Sequence, residues 1–194
     1  MPRVSKQLAA ENKINIEKKT ANLIREKGLS VSVADLMHAA GLTHGGFYKH
    51  FENKDQLIDI ACKDIFKTSV EKWEHKIQIS ADHTEAFQRI VEGYLSEKNL
   101  NHPELSCPIS TLTMDIARES EDKPVKKTFN DGTEKLLTIL SGLTTQSVNE
   151  INDEAIVSLS LISGALTLAR SVEPDLAVRI LEVVKTHLLK EQVI

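Results

Sequence analysis

Apolar residues follow the period of an α-helix along almost the whole chain. In residues 4–27 they repeat at i, i+4, i+7 and i+8 from Ile16, which predicts a first helix ended by Gly28. A long helix is predicted from Asn53 to about residue 78. No strand pattern, repeat or low-complexity tract interrupts the series, so the predicted fold class is all-α. Later helices are predicted over 84–97, from Pro108, over 125–140 with Gly142 just past the end, over 152–169 and over 175–190.

Residues 31–53 fit two short helices joined by a tight turn at Gly41, where glycine adopts a left-handed backbone without steric cost. Apart from Phe47 and Phe51, the side chains of the second helix are small, polar or cationic. Such a surface suits an element that leaves the core and enters a DNA groove. Each helix also has an apolar pair for a shared core: Leu36 with Met37, and Phe47 with Phe51.

Hydrogen-bonding side chains precede the predicted helices at the positions where N-caps belong. Ser32 fits the first position of a capping motif, with Asp35 three residues later. Thr43 precedes the second short helix in the same way. Asn53 with Gln56 forms a variant of the capping box at the start of the long helix.

Charge is distributed unevenly between the two ends of the chain. The overall net charge of −4 is atypical of a nucleic-acid-binding protein. Residues 1–55, however, contain nine Lys/Arg and six Asp/Glu, a net charge of +3, and the remainder has −7. A mildly basic head on an acidic body fits a DNA-contacting domain joined to a second domain. An aromatic content of 4% argues against a platform that stacks sugars or single-stranded bases.

No apolar run approaches the roughly 18 residues of a membrane span, and the N-terminus lacks the apolar core of a secretion signal, which predicts a cytoplasmic protein. Cys62 and Cys107 have neither CxxC nor Cys/His ligand spacing, so we expect two reduced thiols, no metal and no cofactor. A redox-sensing role for Cys107 is the alternative.

The last two predicted helices are apolar on more than one side, which predicts burial on more than one side. In a chain of 194 residues the second cover is predicted to be another copy of the chain. The helices of 152–169 and 175–190 would then form a four-helix homodimer interface. The alternative is a buried central helix in a monomer.

The stretch VSVADLMHAAGLTHGGFYKHFENKDQL, Val31 to Leu57, resembles the DNA-binding domain of the TetR/AcrR family of bacterial transcriptional regulators. The similarity extends back through REKG at Arg25 to Gly28. Two later stretches, SCPISTLTMDIAR (106–118) and SGALTLARSVEPDLAVRIL (163–181), resemble the ligand-binding half of one branch of that family.

The resemblance implies an all-helical homodimer with about nine helices per subunit. Residues 1–53 would form a three-helix, helix-turn-helix DNA-binding domain, and residues 54–194 a helical ligand-binding and dimerisation domain. Double-stranded DNA with a palindromic operator and a small-molecule effector of unknown identity would be the partners. Binding of the effector would move the 54–78 helix. The two DNA-contacting short helices of the dimer would then no longer match the ~34 Å spacing between successive major grooves.

The DNA-contact candidates come from the cap positions and from the resemblance. For the two glycines the alternative is close packing, and for His50 it is capping or packing. The candidates are Ser32, Val33, Thr43, His44, Gly45, Gly46, Tyr48, Lys49, His50 and Lys54.

Ligand-binding candidates are large or polar residues on the body helices, most of which would also suit an ordinary core. Arg118 is the preferred polar anchor, although it could instead pair with Asp115 or Glu119. The candidates are Phe66, Trp73, Phe87, Tyr94, Cys107, Met114, Arg118 and Phe129.

Two other classes of function compete with a ligand-responsive repressor. An enzyme is disfavoured because the sequence has no nucleophile elbow, HExxH motif or glycine-rich phosphate loop, so no catalytic residue is assigned. A helical adaptor without a DNA role is the other alternative, and activation in place of repression is a variant of the regulator.

Overall fold

The computed structural model describes residues 6–144 and 150–190, and within these ranges the chain is helical with no strand, which confirms the all-α prediction. The described part contains nine α-helices and two 3₁₀ helices. The α-helices are α1 Lys6–Lys27, α2 Val33–Ala39, α3 Lys54–Gln78, α4 His83–Tyr94, α5 Glu97–Asn101, α6 Ile109–Arg118, α7 Pro124–Thr144, α8 Asp153–Ala169 and α9 Pro174–Lys190, and the 3₁₀ helices are His44–Lys49 and Pro103–Leu105.

Two predicted boundaries differ from the structure, and a third cannot be compared with it. Gly142 lies inside α7, which continues to Thr144 because Leu143 still packs in the core. The helix predicted over 84–97 divides, since α4 ends at Tyr94 and Ser96 caps a separate helix by accepting from the Asn99 amide. The predicted start of the first helix at residue 4 lies outside the described residues.

The head, residues 6–53, comprises α1, α2 and the 3₁₀ helix His44–Lys49, called here the 3₁₀ segment. Its length of six residues, with glycine at two of them, disfavours a regular α-helix and explains why the second short helix is 3₁₀. The predicted left-handed turn is confirmed at Gly41, where φ is +73°. The fully buried core side chains of the head are Ile16, Ile24, Leu36, Met37 and Phe47.

The predicted caps of the head are present, with one exception. The Ser32 hydroxyl accepts a hydrogen bond from the Asp35 amide at 3.1 Å, and the Asp35 carboxylate accepts from the Ser32 amide, forming a complete capping box. Thr43 occupies the N-cap position of the 3₁₀ segment but makes no capping hydrogen bond with its side chain. Its hydroxyl is therefore not used to hold the segment together.

The body, residues 54–190 with its gap at 145–149, is built on α3, whose 25 residues extend over about 37 Å. α3 packs along α7, α7 packs on α8, and α8 packs on α9. At Gly132 a Cβ atom would lie 2.3 Å from the Phe66 ring, so glycine permits the close approach of α7 to α3. No described helix is both long and apolar enough to cross a membrane.

Candidate nucleic-acid interface and ligand cleft

The 3₁₀ segment presents its polar side chains to solvent because Phe47, within it, and Phe51, just after it, anchor it inside the head. Phe47 is fully buried and its ring lies 5.6 Å from that of Phe51, whereas the adjacent Tyr48 is 69% exposed. Thr43, His44, Gly45 and Lys49 are exposed as well. Thr43 and the 3₁₀ segment thus expose a hydroxyl, an imidazole, a phenol and an ammonium group within seven residues of the chain.

Nothing in the head explains why glycine occupies position 45. A Cβ atom there would meet no atom within 4 Å, and at Gly46 it would only touch the Met37 methyl group at 3.4 Å. In the described chain, Gly28 and Gly41 are the glycines with positive φ, so backbone conformation does not require glycine at 45 or 46 either. The packing alternative therefore has no support at Gly45.

The remaining DNA-contact candidates are more engaged with the head. His50 is half-buried, with its ring 6.2 Å from that of Phe51, as the packing alternative requires. Lys54 donates to the Leu29 carbonyl at 2.6 Å and is half-buried. Val33 is also half-buried, while Ser32 is exposed and holds the Asp35 carboxylate, whose pKa its hydrogen bonds lower.

The segment after α1 connects the head to two elements of the body. The Leu29 amide donates to the Asp115 carboxylate on α6 at 3.3 Å, while the Leu29 carbonyl accepts from Lys54 on α3. At the preceding Gly28, φ is +79° and a Cβ atom would lie 2.8 Å from the same carboxylate, so both conformation and space require glycine. Arg25 adds a hydrogen bond of 3.1 Å to the Ser106 carbonyl ahead of α6.

Five of the eight ligand-binding candidates line three separate clefts of the body. Phe66 lines a cleft of about 470 Å³ between α3 and α7, and Phe87 lines one of about 460 Å³ between α4 and the α8–α9 pair. Trp73, Tyr94 and Cys107 line a third, of about 420 Å³.

Three candidates lie outside these clefts. Met114 is 58% exposed on α6, and Arg118 is exposed at the end of that helix. Within the described residues Arg118 forms no ion pair with Asp115 or Glu119. Phe129 is half-buried, with its ring 5.4 Å from that of Phe66. The structure thus places three of the eight candidates in one cleft and brings the rings of Phe66 and Phe129 together elsewhere.

The third cleft, called here the lysine cleft, lies between α3, α4 and the residues around the 3₁₀ helix Pro103–Leu105. The ligand-binding candidates predicted from the sequence did not include the lysines of this cleft. The spacing of Ser69, Lys72, Trp73 and Lys76 nevertheless places them on one face of α3. The lining residues are Ser69, Lys72, Trp73, Lys76, Ile90, Gly93, Tyr94, Ser96, Lys98, Asn99, Leu105 and Cys107.

A half-buried guanidinium lies beside this cleft. Arg170 donates to the Ser106 hydroxyl and the Asn99 carbonyl, both at 2.6 Å, and to the Ser110 carbonyl at 3.0 Å. Its Nε atom and the Tyr94 hydroxyl are buried without a hydrogen-bond partner among the described residues. Burial lowers the pKa of Arg170 and raises that of Tyr94 well above its ordinary value.

Both cysteines are unpaired and buried, as predicted for reduced thiols. Burial raises the pKa of Cys62 to about 12 and also raises the pKa of Cys107. The thiolate is the reactive form of cysteine, so these environments suppress reactivity at neutral pH. The geometry does not favour the redox-sensing alternative at Cys107.

The outer side of α8 and α9 exposes a row of apolar side chains. In α8, Val157, Leu161, Gly164 and Leu168 follow one another at spacings of four, three and four residues, so they share one side of the helix. Val157 is 54% exposed, and Val183 on α9 is 59% exposed. The large exposed hydrophobic residues of the two helices are Ile156, Val157, Leu168, Leu176, Val178 and Val183.

Residues 16–60 match the family described as bacterial regulatory proteins, tetR family. This range includes most of α1, all of α2 and the 3₁₀ segment, and the first turns of α3. No curated protein matches the chain at a significant level.

Solved structures extend the similarity to almost the whole fold. Reduced NemR from E. coli is 16% identical, with a TM-score of 0.77 over 92% of this chain and 95% of that one. A TetR transcriptional regulator from Chloroflexus aurantiacus is 20% identical, with a TM-score of 0.77 over 95% of each chain. FadR from Bacillus subtilis, solved with stearoyl-CoA, is 20% identical, with a TM-score of 0.63 over 91% of this chain and 97% of that one. At sequence identities this low, the similarity to these structures shows a shared fold alone.

Proposed function

We propose that this chain, which belongs to the TetR family of bacterial regulatory proteins, is a homodimeric repressor released from a palindromic operator by a small molecule. The observation that carries the proposal is the surface of the 3₁₀ segment. Its polar side chains are exposed together, Gly45 leaves its backbone accessible, and its apolar residues are buried in the head.

The side chains of this surface have distinct roles in the proposed complex. Lys49 and Tyr48 bind backbone phosphates, which fixes the orientation of the head without reading sequence. Thr43 and His44 reach base edges in the major groove. Gly45 and Gly46 let the segment's backbone approach the duplex closely.

The dimer is proposed to form through the exposed apolar sides of α8 and α9. Six large hydrophobic side chains exposed on two neighbouring helices form more apolar surface than isolated residues on a monomer require. Two helices from each subunit would bury it as a four-helix interface, which also sets the distance between the two heads.

We propose that effector binding releases the DNA by acting on the contacts at and just after the end of α1. Arg25 and Leu29 tie the head to Ser106 and to α6, while Lys54 ties it to α3. A ligand that displaced α6 from α3 would therefore turn the head, because its connections run to both helices.

The DNA-binding step is tested by selecting a palindrome from random duplexes with the full chain and measuring its affinity over a series of salt concentrations. Lys49→Gln should reduce the slope of log K against log salt by about 1.8, because each subunit of the dimer loses one phosphate contact and each contact contributes about 0.9. Lys67→Gln is the matched control, because Lys67 lies on α3 in an ion pair with Glu71 at 3.8 Å. Failure to select any palindrome, or equal slopes for both variants, contradicts the proposal.

The dimer is tested by sedimentation of Val157→Glu and Val183→Glu. Each should convert the protein to monomers, because an introduced carboxylate would be buried at the interface without a partner. Met114→Glu is the control, since Met114 is exposed to a similar extent on α6. Dimers in both α8–α9 variants would exclude this interface.

A further inference from the structure

The lysine cleft has an imbalance of charge. Lys72, Lys76 and Lys98 line it, and no Asp or Glu is among its lining residues. The carboxylates that act on the cations of this region are Glu92 on Lys76, Glu104 on Arg25 and Arg170, and Asp64 on Arg25. In the ranges that the structure describes, none of them forms an ion pair with those cations; Glu104 contacts His102 instead, at 3.1 Å.

Two of these cations are held in place by backbone carbonyls. Lys72 donates to the Leu105 carbonyl at 3.3 Å, and Lys76 donates to the Arg89 carbonyl. A Cβ atom on Gly93 would lie 2.0 Å from the Lys76 Nζ atom, so the glycine makes room for this ammonium group. Both ammonium groups thus have a backbone partner at the cleft.

Desolvation of these lysines is only partly offset by the protein. Burial lowers the pKa of Lys76, and burial together with Arg25 and Lys98 lowers the pKa of Lys72. An anion placed between them would restore the charge compensation that burial removes.

The other lining residues are suited to an apolar body. Trp73, Ile90, Tyr94 and Cys107 are buried, and the Trp73 and Tyr94 rings pack edge to face with their centroids 6.4 Å apart. The Tyr94 hydroxyl makes no hydrogen bond of normal geometry in the described chain, although it interacts with Cys107 and Ser110. The cleft volume of about 420 Å³ lies within the range of small-molecule sites.

We infer that the lysine cleft is the effector site and that its ligand is an organic anion, with a carboxylate or phosphate group bound by Lys72 and Lys76 and an apolar body against Trp73 and Ile90. The inference rests on the proposed effector-released function and specifies its ligand class. The cleft is adjacent to the connection with the head, because Leu105 and Cys107 flank Ser106, whose carbonyl accepts from Arg25.

The inference is tested by titrating the full chain and following the fluorescence of Trp73, its single tryptophan. The probes are decanoate and decyl phosphate against 1-decanol, and 4-phenylbutyrate against 4-phenylbutan-1-ol, all below micelle-forming concentrations. At least one anion should bind about tenfold more tightly than its alcohol, the effect expected of charge-assisted hydrogen bonds.

Lysine variants test whether the anion binds in the lysine cleft. The double variant Lys72→Gln/Lys76→Gln should weaken that anion about tenfold and leave the alcohol within about twofold. Lys72→Arg/Lys76→Arg should retain tight binding, because it keeps the charge. Lys63→Gln/Lys67→Gln is the matched control on the same helix, since these lysines line the separate α3–α7 cleft. Thermal unfolding of each variant verifies that it is folded.

Alcohols that bind as tightly as the anions, no response from any probe, or equal anion binding by the glutamine variant would overturn the inference. Operator affinity is measured on the same preparations without probe. If the protein binds a palindrome but no anion, the ligand class is wrong and the regulator proposal stands. If it binds an anion but no DNA, the proposed function fails while the cleft assignment stands.

Discussion

Two cationic surfaces of this protein are built in opposite ways. The 3₁₀ segment is short and carries exposed side chains whose charged ends are not fixed by the head, whereas the lysine cleft lies on a long helix and holds the ammonium groups of the exposed Lys72 and the half-buried Lys76 against backbone carbonyls. Exposed cations without a bond to the protein suit a long polyanion that supplies many phosphates. Cations that the protein holds in a cleft suit one small ligand of defined shape. α3 begins beside the first surface and forms part of the second.

The largest effect should come from the adjacent aromatic residues of the 3₁₀ segment. Phe47→Ala should cost about 3–5 kcal/mol of unfolding free energy, because it empties a fully buried site of the head. Tyr48→Ala should leave stability within about 0.5 kcal/mol but weaken operator binding. Urea unfolding combined with DNA titration measures both quantities.

The second prediction concerns the thiols. Reaction of Cys62 and Cys107 with a disulfide reagent at pH 8 should be about a hundredfold slower than that of an unfolded control, because both are buried with raised pKa values. The Cys107→Ser and Cys62→Ser variants assign the two rates. Fast reaction of Cys107 alone would instead support the redox-sensing alternative.

The third prediction tests the connection between the two surfaces. Arg25→Gln removes the hydrogen bond to Ser106, so the factor by which the tightest-binding anion weakens operator affinity should fall about fivefold. Affinities for DNA alone and anion alone should change little. Arg118→Gln is the matched control on the exposed end of α6, and an equal loss in both variants would exclude a specific route through Arg25.

The smallest effect is expected at the cap of α2. Ser32→Ala should destabilise the head by about 1 kcal/mol at neutral pH. Because hydrogen bonds from Ser32 lower the folded pKa of Asp35, the carboxylate's contribution is present above its unfolded pKa and is lost as pH falls through the folded value. The difference between wild type and variant should therefore shrink in acid, and a difference that grew in acid would contradict the capping box.

Sequence patterns predicted the head better than the body for a physical reason. In the head, Gly41, the Ser32–Asp35 cap and the paired apolar residues are local signals, and all occur as expected. In the body, burial alone does not distinguish Phe87 from Trp73, because the difference depends on which helices meet.

The same reason explains the missed and misplaced residues. Met114 and Arg118 share a helix with apolar residues yet point outward, which only the packing of α6 determines. Lys72 and Lys76 have the same i, i+4 spacing as ordinary solvated lysines, and their significance emerges when α4 and Leu105 enclose them.

Because of Leu29, the orientation of the head depends on the position of α6 relative to α3, and not on a displacement that both helices share. Its amide is held by α6 and its carbonyl by a side chain of α3, so one peptide segment is attached to both. If the two helices shifted together, the head would travel with them and keep its orientation. Only movement of one helix relative to the other strains this double attachment, so a displacement that α3 and α6 share would leave the orientation of the head unchanged.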